Sequence, residues 1–182
     1  MVVAVAVAAG LVLARSWGER RPSDVSQTGG IDGDGTVSAM LSDARSSMAV
    51  DPLHSIDVFS NVLKLDPDNV EAITYGAWLS VASALQSGNQ DFFVVASEPA
   101  LQQFQKAIAL DPTYADPHCF SAVVVFYREG GDSPDPAVAV PAAQAAKPAV
   151  DDCLALDPPQ DGRALVEALG TRIDAILAGQ GP

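Results

Sequence analysis

The stretch LKLDPDNVEA, residues 63–72, decides the fold because it ends one apolar helix and begins another almost at once. Proline lacks an amide donor and disfavours helix at the residue before it, so a helix that reaches Leu65 cannot continue through Pro67. The same Leu-Asp-Pro break recurs at Pro112 and Pro158, and the intervals are 112 − 67 = 45 and 158 − 112 = 46 residues. This spacing predicts a repeated pair of helices.

The composition favours closely packed helices and argues against a nucleic-acid partner. Hydrophobic residues make up 48% of the 182 residues, which excludes a disordered chain, while aromatic residues make up only 6%. From residue 22 onward, seven Lys and Arg face twenty-two Asp and Glu, a balance of 7 − 22 = −15. Because nucleic-acid affinity depends on basic residues that neutralise phosphates, a DNA or RNA partner is not expected.

The first fourteen residues, MVVAVAVAAGLVLA, carry no charge, and the basic segment RSWGERR follows them. A membrane-spanning helix needs about 20 apolar residues. We therefore interpret residues 1–14 as part of a transmembrane helix that begins upstream, and a buried helix of the fold is the alternative. Residues 15–35 are predicted to be a linker, and residues 36–182 a helical domain anchored to the membrane.

Apolar residues at helical spacing predict three helical hairpins and a terminal amphipathic helix, an all-α fold. The residues NQDFFVVAS are expected to lengthen the connection inside the second hairpin, whose second helix would begin at Pro99. Pro141 and Pro148 each remove a helical hydrogen bond, so one helix is expected to end before Pro148 and another to start there. The predicted helices span 36–48, 53–65, 71–85, 99–110, from about 115 to 129, a divided stretch before 157, and 163–177.

These hairpins resemble the tetratricopeptide repeat, whose pattern is W-x-x-L-G-x-x-Y, then A-x-x-x-F, then P, over 34 residues. The resemblance covers roughly residues 36–177, and lengthened turns inside the hairpins are expected to hold the excess of 45 − 34 = 11 residues. Ile73 stands in place of Trp, and Gly76 and Ser80 depart from Leu and Tyr. The matching residues are Phe59 and Pro67; Ala77, Ala100, Phe104 and Pro112; and Ala122, Ala146 and Pro158.

The layout also resembles bacterial membrane-anchored repeat proteins of the cytochrome c biogenesis type. That resemblance implies a domain outside the cytoplasmic membrane that holds apocytochrome or another assembly component. The basic RSWGERR flank indicates the opposite orientation, because positive residues favour the cytoplasmic side. The side of the membrane and the oligomeric state therefore stay open.

The predicted function is binding of a protein or peptide partner, without enzymatic activity, cofactor or metal. In stacked hairpins the first helix of each pair lines a concave groove. Some of the residues predicted to line this groove are aromatic, and the alternative for them is that they fill space between neighbouring repeats. The predicted groove residues are Glu71, Thr74, Tyr75, Trp78, Asp116, Cys119, Phe120 and Tyr127.

Two other functions are compatible with the sequence. His118 and Cys119 suggest a metal- or thiol-dependent enzyme, but adjacent residues on a helix point in different directions. A purely architectural subunit without a peptide groove is the second alternative. Cys119 and Cys153 form no CxxC motif, and they are either small packed residues or, in an oxidising compartment, a disulfide pair.

Overall fold

The computed structural model describes residues 33–179, and within that range the chain is all-α and contains no strand. The predicted all-α class is therefore confirmed, while stacking of the tetratricopeptide type stays a prediction. The predicted hydrophobic N-terminal segment, residues 1–14, and most of the predicted linker lie outside the described residues. The helices are α1 Gly33–Ser47, α2 Pro52–Leu65, α3 Val70–Gln86, α4 Gln90–Leu110, α5 Ala115–Arg128, α6 Pro136–Ala155 and α7 Gln160–Leu177.

Each helix packs against the next one along the chain. Because short connections join them, neighbouring helices run antiparallel, so α1, α3, α5 and α7 share one direction and α2, α4 and α6 the other. The connections after α1, α3 and α5 lie at one end of the array, which we call the tip end. Those after α2, α4 and α6 lie at the opposite, base end. Further contacts join α3 to α5 and α5 to α7.

The three Leu-Asp-Pro breaks lie in the base-end connections, as the proline spacing predicts. In the first of them the Asp66 amide closes α2 by donating to the Val62 carbonyl at 2.8 Å. The Asn69 side chain then accepts the Ala72 amide at 3.0 Å and caps α3. The local chemistry of the break thus stops one helix and starts the next.

The prediction for the second hairpin is wrong in one respect. Helix α4 begins at Gln90, where Asn89 caps it, and continues through Pro99. Residues 90–97 of the stretch NQDFFVVAS therefore lengthen this helix rather than its connection, which spans only residues 87–89. The ring of Pro99 is exposed, and so is Val95, whose carbonyl loses its helical partner. Water can hydrate that carbonyl, so the helix tolerates the proline.

Helix α6 corrects the second expectation about proline. It is one helix of 20 residues that contains both Pro141 and Pro148, and it is not divided at Pro148. Both prolines are exposed, as are Ala137 and Gln144, four residues before them. The carbonyls that lose a donor therefore face solvent, and the opposite side of α6 remains free to pack.

A disulfide joins the start of α5 to the end of α6. Cys119 and Cys153 are fully buried, their Cα atoms are 4.9 Å apart, and 34 residues separate them in sequence. The structure thus contains the disulfide that the sequence left as an alternative. In the chain-entropy description, a closed loop of this length stabilises the folded state by about 4 kcal/mol.

None of the helices within residues 33–179 combines the length and the apolar character that crossing a bilayer requires.

Candidate functional site

Four of the predicted groove residues come together where α3 and α5 meet: Tyr75, Trp78, Asp116 and Phe120. Glu71 instead pairs with α1 and Cys119 with α6. Only Tyr127 is half-buried, and a partner could reach the others only if the helices around them separated. The arrangement matches the packing alternative for Tyr75, Trp78 and Phe120, while partner binding by this set stays a prediction. The residues that the structure buries are Glu71, Thr74, Tyr75, Trp78, Asp116, Cys119 and Phe120.

Four aromatic side chains form the apolar part of this cluster. The rings of Trp78 on α3 and Phe120 on α5 stack in parallel with their centroids 4.3 Å apart. Tyr75 meets Phe120 edge-on at 5.7 Å and stacks on Phe59 of α2 at 6.0 Å. Such pairs contribute about 0.5–1.5 kcal/mol each beyond the burial of their area. The rings therefore fix α3 between α2 and α5.

A buried carboxylate forms the polar part of the cluster. The Tyr75 hydroxyl donates a hydrogen bond of 2.8 Å to Oδ2 of Asp116, which is fully buried in the first turn of α5. Tyr114, immediately before α5, is buried beside the same carboxylate. Burial first, and then the negative charge of Asp116, raises the pKa of both tyrosines well above the usual value of 10. Both phenols therefore keep their protons, and the Tyr75 phenol donates to Asp116.

A salt bridge extends the cluster to α1. Arg45, in the last turn of α1, donates from Nε and from a terminal nitrogen to the two carboxylate oxygens of Glu71, both at 2.5 Å. Glu71 is 2% exposed, and its hydrogen bond to Arg45 raises the pKa of the guanidinium. Because this pairing is bidentate, it fixes the orientation of α1 as well as compensating a buried charge.

Sequence reasoning missed Arg45 and Tyr114, and one signal could have indicated a basic partner such as Arg45. Glu71 is the only charged residue of α3, and a lone charge on an otherwise apolar helix needs a partner. Glu71 and Asp116 are also 116 − 71 = 45 residues apart, the interval between Pro67 and Pro112. Each is the second residue of its helix, so the repeat places two carboxylates at equivalent positions in the core.

The chemistry of the cluster is that of a fixed internal contact. The thiol-dependent alternative loses its nucleophile, because Cys119 is bonded to Cys153. Residues 33–179 hold no group of three or more His, Cys, Asp and Glu placed to bind a metal ion. His118 is partly buried beside Asp152, and its Nε2 atom is buried without a hydrogen-bond partner. His54 is exposed, with Nε2 3.0 Å from Oδ2 of Asp43.

Replacing Tyr75 with Phe should lower the free energy of unfolding by about 2 kcal/mol, because a buried charged acceptor loses one donor while the ring is kept. Urea unfolding of the full chain measures this. Tyr127→Phe is the matched control: it removes the same hydroxyl from a half-buried side chain and should change stability by less than about 0.5 kcal/mol. Equal effects of the two substitutions would contradict the assigned Tyr75–Asp116 contact.

His118 should make stability depend on pH. Burial lowers its pKa below the usual 6.5, against the opposing influences of Asp152 and the backbone of Pro112. The folded state then binds the proton less readily than the unfolded state. The stabilisation is therefore complete above about pH 6.5 and decreases as the pH falls toward the folded-state pKa. Unfolding measured at about pH 7.5 and about pH 5 should show a steeper loss for the wild type than for His118→Gln; parallel losses would refute this.

Comparisons with family models, with curated proteins and with solved structures each find no significant match to this chain.

Proposed function

We propose that the protein is a membrane-tethered interaction scaffold built from tetratricopeptide-like helical hairpins, and that its partner contacts the tip end of the array. The regular breaks at the base end support the repeat assignment, because each ends the second helix of one pair and precedes the first helix of the next. The equivalent positions of Glu71 and Asp116 support it as well. The tether is residues 1–14, as the sequence predicts.

The distribution of exposed apolar side chains carries this proposal. Of the nine large hydrophobic residues that are exposed in residues 33–179, seven lie at the tip end and only Leu65 and Leu110 lie at the base end. A folded chain gains nothing from exposing such side chains, and their clustering is typical of an interaction surface. The seven tip-end residues are Val50, Leu53, Phe92, Val94, Val95, Val138 and Leu177.

This assignment moves the partner surface away from the predicted groove. A partner that used Trp78 and Phe120 would have to break their stacking and expose the buried Asp116 carboxylate. The tip-end side chains are already accessible to a partner and require no rearrangement of the core. A scaffold that binds through its hairpin tips therefore keeps its helices in register while it is occupied.

The disulfide supports placing the domain outside the cytoplasm. Disulfides persist in oxidising compartments and are rare where cellular thiols keep cysteines reduced. The Cys119–Cys153 bond is thus an argument against the orientation that the basic RSWGERR flank favours. The partner's membership of a cytochrome c assembly complex stays a prediction from resemblance alone.

Photo-crosslinking from the two ends of the array tests the proposal. A photoreactive phenylalanine analogue placed at Leu53 or Val138 in the full chain, in its native membrane, should yield a defined adduct with one partner protein. The same analogue at Leu65 or Leu110 is the matched control, because these residues are also exposed and apolar but lie at the base end. No adduct from the tip, or the same adduct from both ends, would contradict a partner surface at the tip.

A further inference from the structure

The N-terminal half of α4 presents an apolar stripe to solvent. Phe92 and Val95 are 53% and 72% exposed, and Pro99 is exposed as well. These residues follow the spacing i, i+3, i+7 and therefore share one face of the helix. The opposite face of α4 carries Phe93 and Phe104, which are buried in the core. The stripe is thus a second apolar face, and it is not needed to hold α4 in place.

Negative charge borders this stripe. Asp91 and Glu98 lie on the same helix, 98 − 91 = 7 residues apart, which is about 10.5 Å or two helical turns. Glu98 accepts from Arg128 at 2.8 Å, and Arg128 also lies 3.3 Å from Glu129. The three carboxylates and one guanidinium of this group leave a net charge of −3 + 1 = −2 beside the stripe.

The remaining surface reinforces that sign. Across residues 33–179, twenty Asp and Glu face seven Lys and Arg. Five of the seven basic residues are already held in ion pairs with carboxylates of the same chain. A second copy of this chain would bring like charge to the stripe, and so would an anionic membrane surface. Charge complementarity instead favours a cationic partner.

We infer that the stripe Phe92, Val95 and Pro99 binds an amphipathic helix of a partner protein, with apolar residues on one face and Lys or Arg along its border. Two apolar side chains of that helix cover Phe92 and Val95, and basic residues two turns apart lie beside Asp91 and Glu98. This is the helix-in-groove type of recognition, carried out here on an outer helix face. The inference deepens the proposed function by giving the chemistry of one partner segment.

A synthetic fluorescent peptide of about 18 residues, built from Leu and Lys at helical spacing, is the probe. The fluorescence anisotropy of the peptide is measured as the full chain or a variant is added, with every protein held in the same membrane mimetic. Because binding of the peptide to the mimetic is then equal in all titrations, it does not affect the comparison between variants. The Phe92→Ser/Val95→Ser double variant should weaken binding at least about tenfold. The matched control Leu65→Ser/Leu110→Ser removes two exposed apolar side chains from the base end and should change affinity by less than about twofold. Circular dichroism confirms that both double variants remain folded.

Asp91→Asn should weaken binding of the peptide by about threefold at low salt and change it little at high salt, because the charge contact is exposed and screened. Three results would overturn the inference. The first is equal affinity of the peptide for both double variants, and the second is equal binding of a control peptide with Ser in place of Leu. The third is that Phe92 binds zwitterionic vesicles or a second copy of the chain in place of the peptide. If tip-end crosslinking fails while the peptide discriminates between the double variants, the scaffold proposal fails and this surface stands. The reverse result refutes only this surface.

Discussion

The contact between α3 and α5 is the constraint on which the rest of the structure depends. Trp78 stacks on Phe120 at 4.3 Å, and Tyr75 donates to the buried carboxylate of Asp116 at 2.8 Å. The stacked rings bury apolar surface but do not fix the position of α5 along α3, whereas the hydrogen bond forms only in one relative position of the two helices. Because a buried carboxylate without a donor is costly, the pair selects a single placement of α5 on α3.

The neighbouring helices follow from that placement. Arg45 ties α1 to the first turn of α3 through Glu71, and the disulfide ties α6 to α5. The base-end connections then return the chain within a few residues each time. The resulting array buries α3 and α5 most deeply. Its exposed apolar residues are left chiefly at the hairpin tips, where we propose that a partner binds.

Much of the fold could be predicted from the sequence because the signals that start and end its helices are local. An Asp-Pro break ends a helix because one proline lacks an amide hydrogen, and Asn69 caps α3 with its own side chain. Both signals can be identified without tertiary information. The effects of Pro99 and Pro148 on their helices could not be predicted from local sequence. A proline inside a helix leaves the carbonyl four residues before it without a donor. The helix continues if that carbonyl faces water, and tertiary packing decides whether it does.

Most members of the candidate site were predictable from the sequence, but Arg45, Tyr114 and the burial of the site were not. The residues around Tyr75 and Asp116 were identified because they share a face of the first helices. Whether that face is open or covered depends on how closely α3 approaches α5, which helical spacing does not encode. The single charge of α3, at Glu71, was the available sign that this face is covered.

Nuclear Overhauser spectroscopy of the aromatic protons tests the central claim most directly. In a Trp17→Phe background Trp78 is the only tryptophan, so its indole signals are unambiguous. The account predicts cross-peaks between Trp78 and the Phe120 ring, which disappear in a Phe120→Leu variant. A Trp78 indole without contacts to Phe120 in the folded chain would contradict the interlocked arrangement of α3 and α5.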